Sequence, residues 1–273
     1  MNDGLPRHLD FMELIQKELP LLYQKRHRRS LRHRERLDLS SVTRKNIYVL
    51  DTAIVSLGAD LSDGRSAEVA ILGSGAVLGV CQLYGWSAPP YFATVRQAGD
   101  VWELDVATLK AAFTHSPALV EQLGFAMEHI FVQATRSAVC NRLHHIDQQL
   151  AKTLLLYQDL TAHHDLQVTQ QELSELLGVR REGVTQAMGK LQAVGAIETT
   201  RGRIYVRHRQ QLEQHACECY QPISASVHSQ LTADKRMQAR ACRVPQRRLI
   251  NTMSTADKAK IPEINAALIR ALP

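Results

Sequence analysis

Residues 168–206 read VTQQELSELLGVRREGVTQAMGKLQAVGAIETTRGRIYV, and the rest of the chain is best understood outward from them. Thr169 and Glu172 stand in a capping-box pattern, and Val168 and Leu173 can close a hydrophobic staple, so a helix begins here. It is short. Leu173, Leu176 and Leu177 face inward, Gly178 suits the left-handed conformation that ends a helix, and Val179 tucks under the turn. A second helix follows at once, with Val184, Ala187, Met188, Leu191 and Val194 spaced along one buried face. Its other face presents Arg181, Glu182, Thr185, Gln186 and Gly189. After Gly195, two short β-like runs flank Arg201-Gly202, the pattern of a wing hairpin. Two helices across a glycine turn, followed by such a hairpin, predict a winged helix-turn-helix.

In that arrangement the start of the second helix enters the major groove, where Arg pairs with guanine, Glu accepts from cytosine N4 and Gln pairs with adenine. Arg181, Glu182 and Gln186, with Thr185 beside them, are the expected base readers. Thr169, Gln170, Arg180, Lys190, Arg201 and Arg203 are the expected phosphate contacts, because the first helix crosses the backbone with its N-terminus towards it. For any one of these residues a solvated helix face is an equal reading. The combination of capping box, glycine turn, amphipathic helix and hairpin favours double-stranded DNA as the partner.

Upstream, Ser116-Pro117 is a helix start, and no proline follows before Cys140. Leu119, Leu123, Ala126 and Ile130 form one apolar row on this helix; Val120, Gly124, Met127, Phe131, Ala134 and Ala138 form a second at heptad-like spacing. The stripe is wide enough to bury two sides, one on the helix's own β domain and one on a partner helix. Homodimerisation through Leu123, Met127, Ile130, Phe131 and Ala134 is expected, with a core helix of a monomer as the alternative. A further helix is expected over 146–160, with Leu150, Leu154 and Tyr157 on one face. Short β-like runs at 47–49, 53–57, 67–72, 91–95 and 101–104, with a turn at Asp63-Gly64, suggest a small β-barrel or roll.

A roll, a long helix and a winged helix-turn-helix, with LGVRREGVTQA at 177–187, RGRIYV at 201–206 and CNRLHHIDQQLAKTLL at 140–155, resemble the Crp/Fnr family of bacterial transcription regulators. The resemblance covers roughly residues 47–220. It implies an α+β fold with a cyclic-nucleotide-binding-like roll, a homodimer on a two-fold symmetric operator, and an effector signal passed through the long helix. The family's base-reading positions fall on Arg181, Glu182 and Gln186. RNA polymerase is an expected partner if the protein is an activator. In cyclic-nucleotide-binding members a glutamate follows the second glycine of a pair, and an Arg-Ser pair precedes the last strand. Here Gly75 and Gly79 remain, but the glutamate position is Val80 and the Arg-Ser positions are Tyr91 and Phe92. A buried phosphate without a cation is costly, so cyclic AMP is not expected. Gly79, Gln82, Tyr91 and Trp102 are candidate residues of an effector pocket, with core packing as the competing reading for the two aromatics.

The domain plan is therefore a basic segment at 1–46, an effector-type roll at 47–115, a dimerisation helix at 116–140, the winged domain at 141–220 and a basic tail at 221–273. The run KRHRRSLRHRER at 25–36 is compatible with a solvated helix, a second nucleic-acid contact or an incomplete roll. The tail is expected to be mobile apart from a short helix over 262–272.

The 273 residues carry a net charge of +6, unevenly spread: +5 over 1–50, −6 over 51–165, +1 over 166–220 and +6 over 221–273. The reading segment is nearly neutral, so specificity must come from a few placed side chains. No run approaches the roughly 20 apolar residues of a membrane span, and the N-terminus lacks the apolar core of a secretory signal; a cytoplasmic location without a membrane partner is expected. The five cysteines, Cys81, Cys140, Cys217, Cys219 and Cys242, read as reduced thiols. None precedes Cys81, which excludes the N-terminal iron-sulfur site of oxygen-sensing relatives. Cys217-Glu218-Cys219 reads as a thiol pair without further ligands, and His144-His145 and His163-His164 as surface or capping residues. No metal or cofactor is expected. There is no phosphate loop, nucleophile elbow or carboxylate pair to suggest an enzyme. The remaining alternative is an interaction module whose winged domain meets protein rather than DNA.

Overall fold

The computed structural model describes residues 11–39, 46–62, 66–85, 89, 91–113, 116–161, 165–200 and 202–221. The expected turn at Asp63-Gly64, His163-His164, Arg201 and the tail from 222 onward, with its expected helix, lie outside the described residues. Two short helices open the described chain: α1 (Phe11–Glu18) and α2 (Pro20–Gln24). Eight strands follow: β1 (His27–Leu31), β2 (Arg36–Leu37), β3 (Asn46–Leu50), β4 (Ile54–Asp60), β5 (Ser66–Leu72), β6 (Val77–Leu78), β7 (Phe92–Gln97) and β8 (Gly99–Asp105). They pair antiparallel into two four-stranded sheets, ordered β1-β8-β3-β6 and β2-β7-β4-β5. Leu50, Val55, Leu72, Val95 and Val101 lie in the core between them. The short β-like runs expected from 47 onward are therefore strands of a roll, with β3, β4 and β7 buried along most of their length.

The roll does not begin at residue 47. The basic run supplies β1 and β2, and β1 pairs with β8 in the register His27↔Glu103 to Leu31↔Gly99. Only Leu31 of β1 is buried, so the strand carries almost no hydrophobic pattern. Its cations face acidic neighbours: Arg28 pairs with Asp51 and Asp100, Arg29 with Glu35 and Glu103, and Arg36 with Asp60. Arg26 stacks over Tyr23 and Trp102. The solvated helix considered for this run is corrected to a pair of charge-compensated strands.

After α3 (Val106–Phe113), α4 runs from Pro117 to Leu143. The Ser116 hydroxyl accepts from the Leu119 N–H, and Pro117 sits in the first turn, where no intrahelical donor is lost. Leu119 and Leu123 pack with Ile15 and Leu109. Further along, the buried row turns polar. Gln133 is 3% exposed, and its side-chain amide binds edge strand β5 as a strand would: Oε1 accepts from the Ile71 N–H at 2.9 Å and Nε2 donates to the Ile71 carbonyl at 3.0 Å.

Next comes α5 (Ile146–Thr161), buried on every side over 149–158 rather than on the single expected face. The winged domain is built from β9 (Asp165–Leu166), α6 (Gln170–Leu177), α7 (Arg181–Ala193), β10 (Ile197–Thr200), β11 (Arg203–Val206) and α8 (Arg209–His215), with a three-stranded sheet ordered β10-β11-β9. Leu150, Leu154, Leu173, Val184 and Leu191 form its core, joined by Ile54 and Ile71 from the roll.

Candidate nucleic-acid interface

The geometry at the start of α6 follows from its cap. The Thr169 hydroxyl accepts from the Glu172 N–H at 3.2 Å, and Glu172 Oε2 accepts from the Thr169 N–H at 2.9 Å, so two otherwise unpaired backbone donors are satisfied. Gly178, with φ 63°, ends α6 in the left-handed region and turns the chain directly into α7. Val184, Ala187, Met188 and Leu191 anchor α7 from beneath. Val194, expected on the same face, is exposed because the helix has already ended there.

This anchoring leaves one face of α7 open to solvent. Arg181, Glu182 and Gln186 are exposed, and none of their side chains makes a hydrogen bond or ion pair with a described residue. Thr185 differs: its hydroxyl lies 3.1 Å from Gln170 Oε1 and 3.0 Å from the Arg181 carbonyl, which ties α7 to the start of α6. Arg180 is exposed at the N-cap of α7, without a side-chain cap. Lys190 and Arg203 are exposed but engaged, with Asp147 at 3.3 Å and Asp165 at 2.5 Å. Gly202, with φ 76°, turns the wing. Arg34, from the β1–β2 turn of the roll, lines the same groove as Gln170, Arg181, Thr199 and Arg203. Sequence reading missed Arg34, which has no local signal linking it to a segment about 150 residues later.

Cations of the roll also hold α6. Arg34 donates to Glu175 at 3.3 Å and Arg96 donates to its other oxygen at 3.2 Å, while Arg96 is itself paired with buried Glu68. His33 Nε2 lies 2.7 Å from Glu172 Oε1, though without hydrogen-bond alignment.

The four candidate effector residues do not converge. Gly79, with φ 81°, precedes a 3-10 turn over Val80–Tyr84. Gln82 in that turn donates to the Leu39 and Asn46 carbonyls, both at 3.2 Å, which is a structural tether. Tyr91 donates to the Cys81 sulfur and packs on the inner roll, its phenol pushed up chiefly by burial and so kept neutral. Trp102 packs instead with the core formed by α1, α3 and α4, beneath Arg26 and Arg28.

Along α4, Leu123, one of the five expected dimer residues, is buried in this chain's own core, and Ile130 packs partly against the roll. Met127 and Phe131 are exposed, with Phe131 at 63%, and Val120 continues the stripe. Ala134 is half-buried. The thiol pair at Cys217 and Cys219 is not isolated either, because Cys140 and His144 at the end of α4 lie beside it. Cys140 and His144 stand four residues apart at the end of α4, the spacing that puts two side chains on one side of a helix, and that was the readable signal.

Residues 148–215 match the sequence family described as the Crp-like helix-turn-helix domain. The fold is that of solved Crp/Fnr regulators. FixK2 from Bradyrhizobium japonicum superposes with a TM-score of 0.61 at 19% identity, over 70% of this chain and 98% of its own. The chain carries a Crp-like helix-turn-helix domain on the Crp/Fnr fold. A crp/fnr-family regulator from Eubacterium rectale gives 0.59 at 14% identity, over 73% and 93% of the two chains. TTHA1359 from Thermus thermophilus, also described as of the CRP/FNR family, gives 0.58 at 20%, over 70% and 98%. No curated protein sequence matches significantly. At these identities the Crp/Fnr structures speak for the fold, while the helix-turn-helix match covers the segment whose geometry is described above. Among the described residues no helix is long and apolar enough to cross a membrane.

Proposed function

We propose that this Crp/Fnr-type protein is a non-catalytic, sequence-specific transcription regulator that binds a two-fold symmetric operator as a homodimer. The observation that carries the reading is the uncommitted face of α7, where Arg181, Glu182 and Gln186 stand exposed over a fully anchored helix. Side chains without intramolecular partners surrender nothing within the protein when they bind base edges. Arg180 and Arg203 would hold phosphates, Arg203 by exchanging Asp165 for DNA. Val120, Met127 and Phe131 form the dimer seam, and half-sites lie about 34 Å apart, one helical turn. The roll takes no cyclic AMP: Val80 is a buried apolar residue where a ribose acceptor would be needed, and Tyr91 supplies no cation. RNA polymerase is the further partner if the operator position makes the protein an activator.

Footprinting on DNA upstream of the protein's own gene, at moderate salt, tests this. A protected palindrome is expected, with Arg181→Ala losing about 5- to 150-fold in affinity, equivalent to about 1–3 kcal/mol, at one base pair per half-site. Protection that ignores Arg181→Ala, or no protected palindrome, overturns the reading.

A further inference from the structure

Four side chains of metal-ligand type meet where α4 ends. Cys140 lies in its last turn, His144 is its C-cap, and Cys217 and Cys219 come from the turn after α8. Cys140 and His144 are four residues apart, so the helix places them on one side. The four ligand atoms, three Sγ and one imidazole nitrogen, all lie within 4.8 Å of one another. Cys140 Sγ is 3.5 Å from Cys217 Sγ, and Cys219 Sγ is 3.7 Å from His144 Nδ1. A tetrahedral ion with metal–sulfur bonds of about 2.3 Å and metal–nitrogen bonds of about 2.0 Å sets ligand atoms about 3.5–3.8 Å apart. The 3.5 and 3.7 Å separations fall in that range, and none of the others exceeds it by more than about 1 Å, a distance that side-chain rotation closes.

The surroundings are those of a built site. All three sulfurs are buried, with Cys140 at 0% exposure. The other imidazole nitrogen, His144 Nε2, lies 3.2 Å from both carboxylate oxygens of Glu218. A carboxylate on the outer nitrogen is the usual partner of a metal-bound histidine, because it fixes the ring and leaves the inner nitrogen as the donor. Lys152, itself buried, lies beside the Cys140 sulfur and places a cation next to the thiol cluster. Buried Gln149 donates to the Cys140 and His144 carbonyls at 3.3 and 2.9 Å, which holds the α4–α5 corner in shape.

We propose that Cys140, His144, Cys217 and Cys219 bind one zinc(II) ion. On binding, three S–H protons pass to solvent, three Zn–S bonds and one Zn–N bond form, and no electron is transferred. The centre carries a net charge of −1, and Lys152 neutralises it. Zinc rather than a harder cation follows from thiolate and imidazole donors in a tetrahedral arrangement. The closed four-ligand shell leaves no open position, so the ion is structural: it staples the C-terminal end of the winged domain to the corner where the long helix hands over to α5.

The test uses the full-length, fully reduced protein, titrated with cobalt(II) and then with zinc(II). One cobalt per chain should give the visible and thiolate charge-transfer bands of a tetrahedral cobalt–thiolate centre, and one zinc should abolish them. Cys219→Ser and His144→Asn should each lose or shift these bands, while Cys81→Ser and Cys242→Ser leave them intact. Glu218→Gln should weaken zinc by about 10-fold with the spectrum unchanged, near the lower end expected of a second-sphere partner because Glu218 is largely exposed. Three results would each overturn the proposal: wild-type protein of native helicity with all thiols reduced and no bands, bands that survive both ligand substitutions, or a Cys140–Cys217 disulfide with no metal uptake after reduction. Because the readout is spectroscopic, it stands apart from DNA binding.

Discussion

Replacing Gln133 with leucine removes the contact that attaches the long helix to the roll, together with the same amide's 2.8 Å contact to buried His129 Nε2. Leucine nearly matches the glutamine in size, so the change is one of hydrogen bonding rather than volume. Two bonds to Ile71 disappear, and the Ile71 N–H and C=O are left without their partner at the buried junction of α4 and β5. A net hydrogen bond is worth about 1 kcal/mol, and a buried group left unpaired costs about 1–3 kcal/mol. At two such groups the expected destabilisation is about 2–6 kcal/mol, large against a total stability of about 5–15 kcal/mol. Urea unfolding at one fixed protein concentration measures it, since dimerisation would make the midpoint concentration-dependent. The midpoint should fall with an unchanged slope. A loss below about 0.5 kcal/mol, the size of an ordinary surface substitution, would refute the assignment of Gln133 as the edge partner of β5.

Three further outcomes are expected. If the proposed homodimer forms through α4, Phe131→Glu should make it monomeric in sedimentation at micromolar concentration while leaving the circular dichroism unchanged; a dimer that persists would move the seam elsewhere. Asp165→Asn should free Arg203 for phosphate, raising affinity for all DNA sequences alike and steepening the salt dependence by about one counterion; an unchanged slope would mean that Arg203 does not reach DNA. Thr169→Ala removes one half of the α6 capping box and should cost about 0.5–2 kcal/mol in unfolding experiments, whereas Thr169→Ser should cost much less.

Signals that are local in the chain were legible in advance. Thr169, Glu172 and Gly178 are near neighbours in sequence, so the cap, the turn and the start of α7 could be placed from residues alone. The same holds for β3, β4, β5, β7 and β8, whose short apolar, β-branched runs mark strands buried in a core. β1 and β2 were not legible, because their outward residues are arginines and histidines and only Leu31 and Leu37 record the buried side. Their identity rests on acidic partners as distant as Glu103, a pairing that exists only once the chain has folded. The burial of Leu123 in this chain's own core was not legible for a related reason: heptad spacing cannot distinguish a helix's own domain from a second copy. The cysteine cluster joins positions 77 residues apart, so neither half identifies the other in sequence.

The shared core has a practical consequence for dissecting the molecule. Ile54 and Ile71 of the roll belong to the same hydrophobic cluster as Leu150, Leu173 and Val184, and Arg34 and Arg96 neutralise Glu175 on α6. A fragment cut at residue 140 or 146 would uncover apolar side chains of α5 and leave a carboxylate of α6 unpaired. Domain swaps that treat the winged half as a portable cassette must carry β4, β5 and the β1–β2 turn with it, or replace their side chains at the junction.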